Sequence, residues 1–201
     1  MTGQCTAHHG RLIQGELELM ELLERQIADL DEQIRQATEP FDSQLEQLHS
    51  IPGIKAITAR DIIAEIGTER RRFGSAKRLS SWAGVAPGNN ESAGKRRKGR
   101  TRKGNRYLRR VLVQCAWAAR KTPTFVGRTF RRLESRLGRK KAAMAVAHTI
   151  VVIIYHMLMD GTFYDESLYD RHDAREEERD KKRAIAALER LGYEVALSPV
   201  H

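Results

Sequence analysis

A single serine, Ser92, stands at the head of ESAGKRRKGRTRKGNRYLRR, residues 91–110. Between Lys95 and Arg110 ten of sixteen residues are Lys or Arg and none is acidic, and glycines at 88, 94, 99 and 104 interrupt the charge. Glycine lets backbone approach a ligand closely, and a hydrophobic core has no use for such a segment. A serine hydroxyl before a flexible, cation-dense loop is placed to hold a phosphodiester and to attack it. The bland reading of Ser92 is turn chemistry, which is ordinary for serine in a glycine-rich loop.

The elements that must position this loop follow from pattern. Asn105 is a good N-cap for a helix running to about Lys121, with Tyr107, Leu108, Val111, Leu112, Cys115, Ala116 and Ala119 as its apolar face. Arg106, Arg109 and Arg110 fall in its first turns, where the helix dipole disfavours cations. A phosphate sharing the site would make that placement favourable. Upstream, Ser75 to Trp82 reads as a short helix ending at Gly84 and closed by Pro87, with Phe73, Leu79 and Trp82 inward.

Further upstream, Ile51-Pro52-Gly53-Ile54 predicts a tight apolar turn, followed near Thr58 by a helix carrying Ile62, Ile63 and Ile66. The pattern resembles a helix-hairpin-helix, whose turn offers N–H groups to a DNA phosphate, so Gly53 and Lys55 join the candidate binding residues. Lys55 stands where the usual motif has a second glycine, and an ordinary packing corner is the competing reading. Arg70-Arg71-Arg72 is either a solvated face or a further phosphate contact.

The outer segments differ in character. From Leu12 to about Thr38 the residues Leu19, Leu23, Ile27, Leu30, Ile34 and Ala37 recur at near-heptad spacing among acidic residues, which predicts a helix. It either folds back on its own domain or pairs with a second copy, and Pro40 ends or kinks it. Phe125 to Leu137 is a basic helix with Phe130 and Leu133 inward. Residues 142–159 are mostly apolar and read as a buried core helix rather than a membrane span. His148 and His156 on it read as core histidines, since no carboxylate or cysteine falls at ligand spacing. Residues 171–191 predict a charged helix, with Ala184, Ile185, Leu188 and Leu191 on one side, and Tyr193, Val195 and Leu197 a short closing strand.

Charge is sorted along the chain. Residues 1–50 carry three basic and ten acidic side chains, residues 51–159 carry 26 and five, and residues 160–201 carry seven and eleven, for a net +10. A basic middle between acidic flanks marks a polyanion-binding part. Two cysteines, Cys5 and Cys115, lie far apart in sequence, which excludes a disulfide framework or a four-ligand zinc site of the usual spacing. No apolar signal region opens the chain, and a cytoplasmic location is expected. The fold expected is mainly α: a coiled-coil helix at 1–48, a compact helical domain at 49–165 around the basic loop, and a charged helix and tail at 166–201.

The order IPGI, AEIGT, RFGSAKRLSSWAGVAPGNNESAGKRR, RTRKGNRYLRRVL, AVAH, IIYHML, DGTFY and LERLGYEV, spanning about His8 to Val195, resembles the insertion-sequence transposases numbered one-hundred-and-ten, the bridge-RNA-guided DNA recombinases. That resemblance implies a serine nucleophile in a Ser-Gly/Ala-Gly-Lys context, here Ser92-Ala93-Gly94-Lys95, attacking DNA in strand exchange, with Lys95 and Arg96 stabilising the charge on the reacting phosphoryl group. It implies roles for Arg102, Lys103, Arg106 and Arg109, together with Arg97, Lys98, Arg100, Asn105 and Arg110, in holding backbone phosphates of DNA or of a structured guide RNA. It also implies a RuvC-like domain bearing four metal-binding carboxylates. The chain starts just before the coiled coil, so that domain is expected to be missing, and Mg2+ is expected only with it, with no metal or other cofactor in this chain. Homo-oligomers through the coiled coil and no membrane partner complete the expectation. The competing reading is a nucleic-acid-binding remnant or regulator without chemistry; a third is a coiled-coil interaction protein whose basic middle only solvates it.

Overall fold

The computed structural model describes residues 6–69, 72–88, 91–92, 95–96 and 103–196, with the backbone alone at 91–92, 95–96, 170–177 and 179–180. Eight α-helices make up the described chain: α1 (Ala7–Thr38), α2 (Asp42–His49), α3 (Ala56–Ile66), α4 (Ala76–Trp82), α5 (Arg106–Ala119), α6 (Phe125–Leu137), α7 (Arg139–Asp160) and α8 (Ser167–Arg190). A 3-10 turn, Glu39–Phe41, follows α1 with Pro40 in its first positions, where a missing N–H costs nothing. Two two-residue strands, β1 (Glu91–Ser92) and β2 (Lys95–Arg96), lie within the basic loop. The chain divides into two compact units, at 1–42 and from 43 onward.

The first unit is α1, a single 32-residue helix with no buried residue. Gly10 and Gly15 are carried within it, at about 1 kcal/mol each relative to alanine. Glu32 and Arg35 form a two-bond pair at 2.7 Å, and that pair holds the Glu32 carboxyl down at about 2. Leu19, Leu23, Ile27, Leu30 and Ile34 are 45–58% exposed.

The second unit is built on α7. Its run from Arg139 to Asp160 contains neither Gly nor Pro, and Gly161 ends it in the left-handed conformation (φ 68°, ψ 27°), as glycine does at helix C-termini. Helices α4, α5 and α6 pack on it and α3 packs on α5. Val146, Ile150 and Ile154 of α7, Leu108 and Leu112 of α5, Phe130 of α6 and Leu79 of α4 belong to the core, each fully buried or nearly so. Burying such a side chain contributes about 1.5–3 kcal/mol. α7 is long and apolar enough to cross a membrane, but nine of its residues are buried among its neighbours.

The Ile51–Ile54 turn forms as the sequence predicts, with the Ile54 N–H donating to the Ile51 carbonyl at 3.0 Å and Gly53 at φ 92°. This is the Pro-Gly turn in which the third position needs a positive φ. Gly53 also sits on α5: a Cβ there would lie 2.5 Å from the Cys115 carbonyl oxygen and 2.9 Å from the Ala119 nitrogen.

Several expectations need correction. Residues 193–196 form no strand, and Leu197 lies outside the described residues. Helix α8 begins at Ser167 rather than 171, and on its apolar side Ala184, Leu188 and Leu191 are exposed while Ile185 is half-buried. His156 is exposed on α7, not a core histidine, whereas His148 is half-buried and burial pushes its pKa down. Tyr107 is 57% exposed rather than part of the α5 apolar face, and Leu133 is only half-buried. The misplaced side chains share one cause: periodicity names a stripe, but only a neighbour can bury it.

Candidate nucleic-acid interface

The two ends of the basic loop meet at one point. Gly84, at φ 71°, follows α4, and Gly104 precedes α5. The two are pressed together, so that a Cβ on Gly104 would collide with the Gly84 nitrogen and come 2.5 Å from the Trp82 carbonyl oxygen. The Asn105 N–H then donates to that same Trp82 carbonyl at 2.8 Å. Trp82 is itself braced by the Phe73 ring, centroids 5.2 Å apart. The stem is closed by backbone packing that only glycine permits.

Asn105 fastens the stem to two helices. Its Oδ1 accepts from the N–H groups of Tyr107 and Leu108, both at 2.9 Å, the N-cap arrangement. Its Nδ2 donates to Glu65 Oε2 of α3 at 2.5 Å. Both ends of the amide are thus occupied within the protein, which gives Asn105 a positioning role. Nothing local in the sequence around Glu65 signals this contact.

The finding also modifies the dipole argument. Glu65 and Asp61 line a cleft of about 320 Å³ beside α5, with Ala64, Tyr107, Arg110, Val111 and Gln114. A carboxylate therefore stands near the α5 N-terminus already, where the dipole favours it. It does not neutralise the arginines: among the described residues no carboxylate pairs with Arg106, Arg109 or Arg110. Arg106 lies over the exposed Tyr107 ring, 4.9 Å from its centroid, a cation–aromatic pair facing solvent. Arg110 and Lys103 are exposed and Arg109 half-buried.

Within the loop, β1 and β2 pair antiparallel, Glu91 opposite Arg96 and Ser92 opposite Lys95. The sequence predicts only a loop here. The pairing sets the candidate nucleophile directly across from the first cation of the basic run. Arg97, Lys98, Arg100 and Arg102 lie outside the described residues, as do Arg70 and Arg71. Arg72 donates to the Ile66 carbonyl at 3.3 Å and lies over the Phe73 ring, so it supports the fold.

The hairpin before α3 is a separate feature. Lys55 is the exposed N-cap of α3, without a side-chain cap bond, and borders a groove of about 460 Å³ with His49, Ser50, Thr58, Gln114 and Thr122. Gly53 is turned onto α5, which gives the packing-corner reading its physical reason.

Residues 45–129 match the sequence model of the transposase IS116/IS110/IS902 family. Over 113 residues the chain is 33% identical to a putative transposase, y4qE, of Sinorhizobium fredii, covering 55% of this chain and 28% of that protein. It is 30% identical over 125 residues to an uncharacterized 43.6 kDa protein of insertion element IS110 from Streptomyces coelicolor, covering 60% and 30%. With an uncharacterized 42 kDa protein of insertion element IS900 from Mycobacterium paratuberculosis it shares 29% over 148 residues, 71% and 36%. The chain therefore spans about a third of the length of these relatives. The matched segment runs from α2 into α6 and contains the hairpin, the loop stem and Ser92.

Proposed function

We propose that this chain is the DNA-binding and strand-exchange part of an IS110-type transposase, with Ser92 as nucleophile. The observation that carries the reading is the loop stem. Gly84, Gly104 and Asn105 hold the two ends of a segment with seven cations at one point, inside the stretch that matches the family. In the reaction proposed, the Ser92 hydroxyl oxygen attacks a DNA phosphorus. A serine–phosphorus bond forms as a phosphorus–oxygen bond of the strand breaks, and the serine proton ends on the released deoxyribose hydroxyl. A second hydroxyl then attacks the phosphoserine, remaking a strand and returning the proton to Ser92. Two transesterifications conserve bond energy and need no external energy source. Lys95 and Arg96 are assigned to the charge that develops on the phosphoryl oxygens.

Lys103, Arg106, Arg109 and Arg110, with Arg97, Lys98, Arg100 and Arg102, are assigned to backbone phosphates of DNA and of a structured guide RNA. Asn105 positions them. Gly53 and Lys55 present the α3 N-terminus as a lesser contact. Among the described residues no three His, Cys, Asp or Glu side chains gather as a metal site requires. Mg2+ is assigned instead to the RuvC-like domain that the family resemblance implies. The exposed apolar stripe of α1 is assigned to pairing with a second copy, since leaving such a stripe in water has no compensating contact. The cytoplasm, where the DNA is, is the expected location.

The test is a covalent trap. The chain is mixed with element-end DNA and guide RNA, with and without a separately expressed RuvC-like domain, and resolved under denaturing conditions. A DNA-linked band that disappears in Ser92→Ala supports the reading. No band under either condition, with salt-sensitive binding retained, overturns the nucleophile and leaves a nucleic-acid-binding remnant.

A further inference from the structure

A second basic surface lies at the corner where α6 meets α7. Arg136, in the last turn of α6, and Arg139, Lys140 and Lys141, in the first turn of α7, are all exposed. Only Gly138 separates the two helices, and α7 has no side-chain cap and no acidic residue in its first turn. From Ser135 to Met159 the sequence contains no Asp or Glu at all. Arg139 is bonded to Glu134 at 3.0 Å, but that carboxylate is already shared with Arg120 at 2.8 Å. No carboxylate among the described residues pairs with Arg136, Lys140 or Lys141.

Arg136 alone would be unremarked, because a cation at a helix C-terminus is favoured by the dipole. Three cations opening α7 are disfavoured by it. Their mutual repulsion adds to that cost; Glu134 offsets it at Arg139, and no carboxylate among the described residues does so at Lys140 or Lys141. An external polyanion offsets both.

This corner is distinct from the loop. Tyr155, Leu158 and Met159 of α7 share a small cavity with Phe73 and Leu79, so the C-terminal half of α7 packs beside α4, from which the loop stem rises. Lys141 precedes Tyr155 by fourteen positions, or about 21 Å along a helix rising about 1.5 Å per residue. A DNA duplex rising about 3.4 Å per base pair covers that distance in roughly six base pairs.

We infer that Arg136, Lys140 and Lys141 form a second contact for the phosphate backbone of duplex DNA, engaging the same duplex beyond the stretch held by the loop. The inference rests on the DNA-binding reading above and extends it to residues outside the segment that matches the family. Contacts of this kind carry no sequence information; they set orientation and register.

The experiment compares the full chain with a triple variant, Arg136→Gln, Lys140→Gln and Lys141→Gln, and with the charge-preserving Lys140→Arg, Lys141→Arg. Affinity for an element-end DNA duplex and for an RNA duplex of the same length is followed by fluorescence anisotropy from about 50 to 200 mM salt. Hydroxyl-radical footprints are taken on the DNA. Each phosphate contact contributes about 0.9 to the slope of log affinity against log salt. The triple variant is expected to lose about 2.7 of slope on DNA, so its affinity falls about 40-fold less than the parent's across that range. Its footprint is expected to shorten by roughly six base pairs at one edge, while the arginine variant behaves as the parent. An unchanged slope and footprint, with the parent still binding DNA in a salt-sensitive way, overturns the second contact and leaves the DNA-binding reading standing. A slope change on RNA but not on DNA overturns the assignment to DNA. Absence of salt-sensitive binding by the parent overturns the DNA-binding reading and this inference with it.

Discussion

Replacing Asn105 with Asp is the sharpest test of how the loop is held. Asp caps helices as well as Asn, so the bonds from the Tyr107 and Leu108 N–H groups survive. The other end of the side chain changes sign: the amide that donates to Glu65 at 2.5 Å becomes a carboxylate facing a carboxylate. A hydrogen bond to a charged group contributes about 1.5–3 kcal/mol, and like-charge repulsion adds to its loss. The expected cost is about 2–4 kcal/mol, or a fall in Tm of roughly 5–15 °C for a unit of this size. Adding Glu65→Gln to the same chain restores a donor, since the amide introduced on α3 can then donate to the carboxylate introduced at the cap, and should recover most of the loss. The pH dependence follows from the pairing. One of the two carboxyls has its folded pKa raised, because both cannot ionise so close together. That group favours the folded state below its unfolded pKa of about 4, and the contribution is lost as pH rises through the raised value. The variant should therefore approach the parent's stability at low pH and depart from it towards neutrality. Thermal unfolding of the four chains of the cycle, from about pH 4 to 8, measures this. If Asn105→Asp is as stable as the parent at neutral pH, or Glu65→Gln gives no rescue, Glu65 does not hold the stem.

Other consequences can be measured on the same protein. Gly53→Ala combines a positive φ with a Cβ 2.5 Å from the Cys115 carbonyl and should cost at least about 2 kcal/mol in urea unfolding; a neutral result would mean the turn does not sit on α5. Burial pushes the Cys115 thiol up to about 12, so the folded state keeps it protonated where the unfolded chain ionises near about pH 8.5. Its contribution is complete below that pH and falls above it by up to about 1.4 kcal/mol per pH unit. Cys115→Ala should flatten stability against pH between about 8.5 and 10. On α1, Leu23→Asp with Ile27→Asp should lower the sedimentation-derived mass to that of one chain without changing Tm of the second unit. A parent that is already monomeric would refute the pairing.

Much of the fold was legible in advance because it depends on local chemistry. Pro52-Gly53 specifies its turn, Asn105 specifies the start of α5, and Gly161 specifies the end of α7, since each acts on backbone within a few residues. The apolar length of α7 marked it as the helix to be buried. The family resemblance was legible for a different reason, in a long and unusual string of residues. What could not be read was every property that needs a second element to exist. Gly104 looks like loop flexibility, but its lack of a side chain serves contact with Gly84 and Trp82.

The candidate site divides the same way. Sequence alone determined that a serine precedes a dense run of cations, that three arginines open α5, and that the middle of the chain is basic. Tertiary structure decided that the run is anchored at a single closed stem, that the backbone at Ser92 pairs with that at Lys95, and that Asn105 is tied to Glu65 forty positions away. It also turned Tyr107 outward and Gly53 inward, against the simplest reading of each. The physical reason is common to all of these. Charge, propensity and capping belong to residues and their neighbours in the chain, whereas burial, close approach and long-range hydrogen bonds belong to pairs of surfaces that meet only once the chain has folded.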